Sequence, residues 1–460
     1  MTTSTDLVEV RTGLYHDSVS LMRISQALTS RPGVAVAVVA MATGLNLGLA
    51  REAGFDVPDA GPSDLLVAIR AESEIALKDA AEELDRQFAA LGRAAAAGGE
   101  GAEAPPRTTR AAARRWEATL ALVSVPGEHA FAEALDAVEA GLSVMVFSDN
   151  MPVEQEVLLK ERAAERGVLV MGPDCGTAVV AGAGLGFANV LRPGPVGVVA
   201  ASGTGAQQVT CLLDHAGVGV SHVLGVGGRD LSAEVGGRST LAALGALDAD
   251  PATELIVLIS KPPAPEVAEA VRRAVGGLAT PVVTALLGPG EDDLTAAAEK
   301  ALRALGRPVP SWPCWVVPQR ASSAELHGLY SGGTLCAEAR LVAGEGTFTD
   351  FGGDEYTRGR AHPMIDPTVR LEALARASGV VLLDVVLGHA ADPDPAARLA
   401  PAIHEARERG TAVVAALVGT GSDPQGLRRQ ADALVAAGAS VFISNAAAAR
   451  HAASLIGSAP

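Results

Sequence analysis

Residues 196–205 read Val-Gly-Val-Val-Ala-Ala-Ser-Gly-Thr-Gly, and residues 326–335 read Leu-His-Gly-Leu-Tyr-Ser-Gly-Gly-Thr-Leu. In each, a β-branched, apolar run passes through a small-residue turn into a helical pattern. That strand–turn–helix junction marks an open α/β sheet. Three further blocks follow each junction in the same order. Gly225-Val-Gly-Gly-Arg-Asp-Leu answers Asp350-Phe-Gly-Gly-Asp-Glu-Tyr. Glu254–Pro263 answers Val380–Ala390, and Thr280–Gly288 answers Thr411–Gly419. The order predicts a duplicated unit. The same junctions would also recur in two unrelated doubly wound domains.

A helix start has unpaired N–H groups and a partial positive charge. Ser202, Gly203 and Thr204, and Ser331, Gly332, Gly333 and Thr334, are therefore candidate sites for a phosphate or carboxylate. The alternative is an ordinary N-cap, worth about 1 kcal/mol. Because the two turns sit at matching places, they are expected to face each other and hold small anionic groups. Gly228 and Arg229, with Asp230 beside them, occupy the loop matching Gly353 and Asp354, and both loops are candidates for substrate contact. The stretch 350–366, DFGGDEYTRGRAHPMID, crowds ionisable groups between Gly and Pro and reads as a loop. Arg358 and Arg360 are candidates to reach an anion, and His362 is a candidate acid–base; a solvated loop closed by its own salt bridges is the other reading. Neither Gly-rich turn has Walker A spacing, and only four lysines occur, Lys78, Lys160, Lys261 and Lys300.

Outward from these turns the same alternation continues. The N-terminal part reads as strands at 7–15, 33–41 and 64–69 with helices at 17–29, 44–53 and 72–91, expected as a parallel α/β sheet. At its first junction, Asp17 or Ser18 reads as an N-cap, with Tyr15 and His16 beside it. Residues 92–115, rich in Ala, Gly, Pro and Arg, read as a flexible linker. Residues 116–192 form another α/β stretch ending at Gly172-Pro173-Asp174-Cys175. Residues 193–288 and 326–460 hold the two copies, joined by a connection over 289–325.

Composition bounds the function. The 460 residues carry 36 basic and 53 acidic side chains, a net charge of -17, which argues against nucleic-acid binding. Aromatics are 3% and apolar residues 48%, so the core is aliphatic. No signal-like segment opens the chain and no apolar run nears the roughly 20 residues of a membrane span, so a cytoplasmic protein is expected. Cys175, Cys211, Cys314 and Cys336 show no zinc spacing, so no metal is expected.

The segment VPGEHAFAEALDAVEAGLSVMVFSDNMP through GVLVMGPDCGTA is similar to the CoA-binding domain of succinyl-CoA synthetase α subunits. Over nearly the whole length the chain resembles the FdrA proteins of that superfamily. The motifs are RTGLYHDSVSLMRIS, MGPDCGTA, LISKPPAPEV, GLYSGGTLCAEA, FGGDEYTRGRAHPMIDPTVR, LLDVVLG and ADPDPA. The resemblance implies a Rossmann-like CoA-binding-type region, with residues 1–91 as its N-terminal part, then two flavodoxin-like ligase domains. Gly172, Pro173, Asp174 and Cys175 then stand where the family's Gly-Pro-Asn-Cys turn contacts CoA. Departures matter as well. The family's phosphohistidine loop is expected after Lys261-Pro262-Pro263, yet no histidine occurs there before His327. His389 lies in the other copy, and the N-terminal CoA phosphate loop is not recognisable. Some FdrA relatives serve as a subunit of an oxamate carbamoyltransferase. The resemblance thus implies carbamoyl transfer, with carbamoyl phosphate as the bound ligand and separately encoded partner subunits besides self-association. CoA ligation, or a CoA-binding scaffold without catalysis, are the alternatives.

Overall fold

The computed structural model describes residues 5–14, 16–96, 106–357 and 360–456. They divide into two compact units. The smaller holds the chain up to Arg107 together with Thr357–Ala361, and the larger holds the remainder.

The small unit runs β1 (Thr5–Arg11), α1 (Ser18–Thr29), β2 (Val34–Met41), α2 (Gly44–Glu52), β3 (Leu65–Ala71) and α3 (Glu74–Ala96). Its sheet order is β1-β3-β2, and both pairings are antiparallel. This corrects the parallel sheet expected from the alternation. β1 and β2 are parallel to each other, but β3 has inserted between them, a split β-α-β arrangement. Alternation encodes the crossover and leaves strand insertion unspecified. β3 is buried on both faces. Leu65, Val67 and Ile69 meet Leu21, Ile24, Leu28 and Leu84, while Leu66 and Ala68 meet Leu47 and Phe55.

The expected linker is partly helical. α3 continues to Ala96, and α4 (Thr109–Trp116) starts on Thr108, whose hydroxyl accepts the Ala111 N–H. Ala and Arg are strong helix formers, so low complexity here did not mean loss of structure. Residues 97–105 of that segment lie outside the described residues.

The larger unit continues with β4 (Leu120–Val123), α5 (Gly127–Glu139), β5 (Ser143–Val146), α6 (Val153–Arg166) and β6 (Val170–Met171), a parallel sheet in the order β4-β5-β6. Next come β7 (Thr177–Val180), β8 (Ala183–Gly186), β9 (Pro193–Ala200), α7 (Gly203–His215), β10 (Val220–Gly225), α8 (Arg238–Asp248), β11 (Leu255–Ser260), α9 (Pro265–Val275), β12 (Val282–Leu286) and α10 (Leu294–Ala304). These strands form one sheet, β12-β11-β9-β10-β7-β8. The last stretch holds β13 (Cys314–Trp315), β14 (Leu326–Tyr330), α11 (Gly333–Ala343), β15 (Thr347–Asp350), α12 (Asp354–Thr357), α13 (Thr368–Arg376), β16 (Val380–Val386), α14 (Pro395–Glu408), β17 (Ala412–Val418), α15 (Leu427–Ala436), β18 (Ser440–Phe442) and α16 (Asn445–Ile456). Its sheet order is β13-β18-β17-β16-β14-β15.

The cores β12-β11-β9-β10 and β17-β16-β14-β15 share one order, and all their pairings are parallel. In each, the chain leaves the first strand to one side and returns on the other. The carboxyl ends of β9 and β14 are therefore topological switch points, where open α/β sheets bind ligands. The edges differ from the sequence boundaries. β7 and β8 precede residue 193 yet join the first of these sheets through β10. β13, within the expected connection, pairs antiparallel with β18.

Candidate functional site

The two switch points meet. Ser202 caps α7, its Oγ accepting the Gly205 N–H at 3.0 Å, and the same hydroxyl donates to Thr334 Oγ1 at 2.6 Å. Packing around this bond is reciprocal. A Cβ on Gly332 would come within 2.6 Å of Thr204 Oγ1, and one on Gly205 within 3.1 Å of Thr334 Cγ2. Glycine is therefore what lets the helix starts approach. The starts face each other but close on one another, so no anion fits between these two hydroxyls.

The second turn differs from its expected role. The Ser331 N–H and Oγ both donate to Asp384 Oδ1, at 2.8 and 3.0 Å, and the Gly332 N–H donates to Oδ2 at 2.8 Å. A resident carboxylate thus occupies the donors expected to hold an external anion. Asp384 lies on β16, fully buried, and forms an ion pair with buried Arg370 at 2.9 Å. Arg370 also donates to Leu329 O at 3.0 Å. Sequence reasoning missed Asp384 because it stands alone in a buried apolar strand; that isolation was the available signal.

Beside Gly333, the first residue of α11, stand two further charged groups. A Cβ there would collide with Asp350 Oδ2 and lie 3.5 Å from Lys261 Nζ. Neither residue was singled out from sequence. Asp350 ends β15 and accepts the Gly352 N–H at 2.9 Å; burial, only partly offset by that bond, raises its carboxyl pKa. Lys261 is exposed directly after β11. His362 completes the group. A Cβ on Gly352 would lie 2.8 Å from His362 Nε2 and 3.2 Å from Asp350 Oδ1. His362 Nδ1 accepts the Met364 N–H at 3.2 Å, which places the ring proton on Nε2. Its ring stands 5.5 Å from that of Phe187. Burial, reinforced by the Arg370 charge, pushes its pKa down to about 4. At neutral pH this imidazole is an uncharged N–H donor, which differs from the acid–base role expected of it.

The other residues of that loop separate. Arg360 belongs to the small unit, and Arg358 lies outside the described residues. Gly353 donates its N–H to Asp350 O at 3.3 Å, and Asp354 opens the short α12. His389 is exposed on the loop after β16, its N–H bonded to Ala188 O at 2.8 Å.

The remaining candidates are built into the scaffold. Arg229 donates to Met151 O at 2.7 Å and lies 3.0 Å from Glu156 Oε2. Buried Lys160 bridges Glu156 and Asp230 at 2.7 and 2.8 Å, and Asp230 accepts the Ser239 and Thr240 N–H groups at the start of α8. Gly172 to Cys175 pack against the strand and loop around Gly225. A Cβ on Gly225 would lie 2.6 Å from Cys175 Sγ, one on Gly227 2.5 Å from Pro173 O, and one on Gly228 3.5 Å from Asp174 Oδ2. Burial pushes the Cys175 thiol up to about 12, so it is a small packing residue and no nucleophile. In the small unit, Asp17 caps α1 by accepting the Ser20 N–H at 2.9 Å, and the His16 ring lies 5.1 Å from Phe88.

Residues 2–105 match the family described as AllF, heavy metal-associated domain, and residues 329–455 match the family described as CoA-ligase. The uncharacterized protein YahF of Escherichia coli (strain K12) is 35% identical over 493 aligned positions, covering 94% of this chain and 95% of that one. The succinate–CoA ligase [ADP-forming] subunit alpha-2 of Trichomonas vaginalis is 30% identical over 153 residues, 32% of this chain and 48% of that one. The chain thus spans about half the length of that ligase subunit. Among solved structures, ATP citrate lyase from Methanothrix soehngenii with citrate and coenzyme A aligns at a TM-score of 0.33 and 19% identity, over 44% of this chain and 38% of that one. The chain is related to the succinyl-CoA ligase and acyl-CoA synthetase superfamily.

The heavy-metal description does not fit the small unit's own residues. All four cysteines lie beyond residue 174, and among the described residues no group of three His, Cys, Asp or Glu side chains could hold a metal. Asp17 is spent on its helix cap, and His16 lies against Phe88. Also among the described residues, no helix is long and apolar enough to cross a membrane.

Proposed function

The chain belongs to the family of the Escherichia coli protein YahF, and from that premise we propose that it is an FdrA-type subunit catalysing carbamoyl transfer from carbamoyl phosphate, with oxamate as the first acceptor to test. The observation that carries the reading is the meeting of the α7 and α11 starts beside Lys261, Asp350 and His362, with no histidine between Pro263 and His327 where the family's phosphohistidine loop is expected. Transfer from an acyl phosphate needs orientation and a stabilised leaving phosphate more than a side-chain nucleophile.

In this mechanism the acceptor nitrogen attacks the carbonyl carbon of carbamoyl phosphate. A C–N bond forms and the C–O bond to phosphorus breaks. Phosphate departs with the electron pair toward Lys261. Asp350, its basicity raised by burial, takes the nitrogen's proton. The His362 Nε2–H donates to the carbonyl oxygen. Net charge of -17 repels anionic substrates at long range, so attraction must come from these local donors. The work is shared with separately encoded subunits in a cytoplasmic complex. CoA ligation is the competing reading, favoured by the CoA-ligase match over residues 329–455. No step is assigned to CoA.

The test uses the full chain, alone and with co-purifying subunits. Carbon-labelled carbamoyl phosphate plus oxamate should give a labelled N-carbamoyl product, and Lys261→Gln should lower the rate at least tenfold. Stable transfer of labelled γ-phosphate from ATP to a histidine, with a CoA thioester formed, would sink the proposal in favour of CoA ligation.

A further inference from the structure

Two exposed surfaces of the larger unit complement one another. The first is α4, which buries none of its residues. Its last turn carries Arg114 and Arg115, and it ends on Trp116, 62% exposed, with the Arg115 guanidinium 5.7 Å from the indole centroid. Arg110 is already tied to Asp136 at 3.0 Å, and exposed Glu117 follows the tryptophan. An amphipathic helix of this kind, with an aromatic at its tip and guanidinium groups around it, is typical of an interface edge.

The second surface is an open groove of about 370 Å³ along α6, lined by Val153, Glu154, Val157, Leu158, Glu161 and Glu234. Its floor is apolar and includes exposed Leu158. Its rim is acidic. Glu161 pairs with Arg238 at 2.9 Å. Among the described residues Glu154 has no ion pair, and Glu234 is held below the usual carboxylate range by hydrogen bonds from its own N–H and from Ser232. The rim therefore keeps two acidic side chains without a cationic partner among the described residues.

We infer that α4 of one copy docks, through Trp116 and Arg114, into the α6 groove of a second copy. α4 packs on α5 and α5 on α6, so both surfaces belong to one helical layer. A two-fold axis running past α5 would satisfy both grooves at once, giving a closed dimer with two equal contacts. Local charge pairing is what such a dimer needs, because two chains of net charge -17 repel each other elsewhere.

Analytical ultracentrifugation of the full chain tests this. Wild type should be a dimer. Arg114→Glu, or Glu154→Arg with Glu234→Arg, should each weaken it at least tenfold, and the three changes together should restore it. Trp116→Ala should weaken it while leaving the far-ultraviolet circular dichroism unchanged, since the side chain is exposed in the single chain. A wild-type monomer at about 100 μM overturns the inference. So does a dimer indifferent to all these changes, which would mean that another surface carries it and that another segment or partner covers the groove. Neither result bears on carbamoyl transfer, which is measured separately.

Discussion

Ser202 Oγ and Thr334 Oγ1, 132 positions apart in sequence, share a 2.6 Å hydrogen bond that joins the starts of α7 and α11. Each hydroxyl sits at the carboxyl end of the strand where its sheet reverses order. The bond thus couples the two copies at their switch points. Thr334→Val keeps the shape and removes the bond, at an expected cost of about 1 kcal/mol. Gly332→Ala should cost more, about 1–3 kcal/mol, because the new methyl meets Thr204 Oγ1 at 2.6 Å. Urea midpoints of the two variants check the ranking, and an equal or reversed order would contradict the packing account.

Asp384 should matter for stability as much as for function. Asp384→Asn leaves Arg370 buried without its carboxylate, and removing one partner of a buried pair costs about 3–5 kcal/mol. Chemical denaturation of the full chain measures it. A loss below about 1 kcal/mol would show that the pair behaves like a surface contact.

Glu338 predicts a pH dependence. It lies on α11, fully buried, accepting the Leu294 N–H at 2.6 Å and Asn445 Nδ2 at 2.7 Å. Burial raises its pKa from 4.5 to about 7. The folded state therefore holds its proton more tightly than the unfolded one. Its favourable contribution is complete below pH 4.5 and declines as pH rises to about 7, where it levels off. Glu338→Gln should flatten that segment of the stability curve while lowering stability overall, because one of the two donors then faces an amide NH₂. Melting temperatures from pH 4 to 8 decide it; an unchanged slope in the variant would remove Glu338 as the cause.

Thiol chemistry offers a simple count. Cys175, Cys211 and Cys336 are buried, and Cys314 is exposed. Burial pushes the Cys175 and Cys336 thiols up to about 12 and Cys211 well above its ordinary range. A thiol reagent should label one equivalent quickly in native protein and four after denaturation. Two fast equivalents would show that one of the buried sites opens.

His362 predicts a feature of any activity profile. With a pKa near 4 it stays neutral across the physiological range. His362→Gln, which retains an N–H donor, should keep more activity than His362→Ala. A rate inflection near pH 6.5 that vanishes in both variants would instead restore the imidazole as a proton carrier.

Much of the fold was legible. The block order in the two copies anticipated their common sheet order, and Asp17 was readable as a cap because its carboxylate acts within three residues. The candidate site was legible in part. The pattern located both Gly-rich turns, yet it used Lys261 only as a marker for the expected phosphohistidine loop, and it passed over Asp350, which sits at a strand end. Arg229 and Asp230 looked like site residues because a loop at a strand end resembles a ligand loop. Their partners, Glu156 and Lys160, lie on a helix some 70 residues earlier.

The sequence by itself determined the aliphatic core, the alternation of strand and helix, and the places of the two Gly-rich strand–helix turns. These depend on residue type and short spacing, which act within one or two turns of chain. Tertiary structure alone decided that β3 inserts between β1 and β2, that Asp384 fills the second turn, and that His362 is uncharged. Each outcome depends on which distant group arrives at a given point: a strand edge for β3, two N–H groups and a guanidinium for Asp384, a ring and a charge for His362. Local pattern carries no record of such arrivals, because burial and pairing are properties of the folded chain.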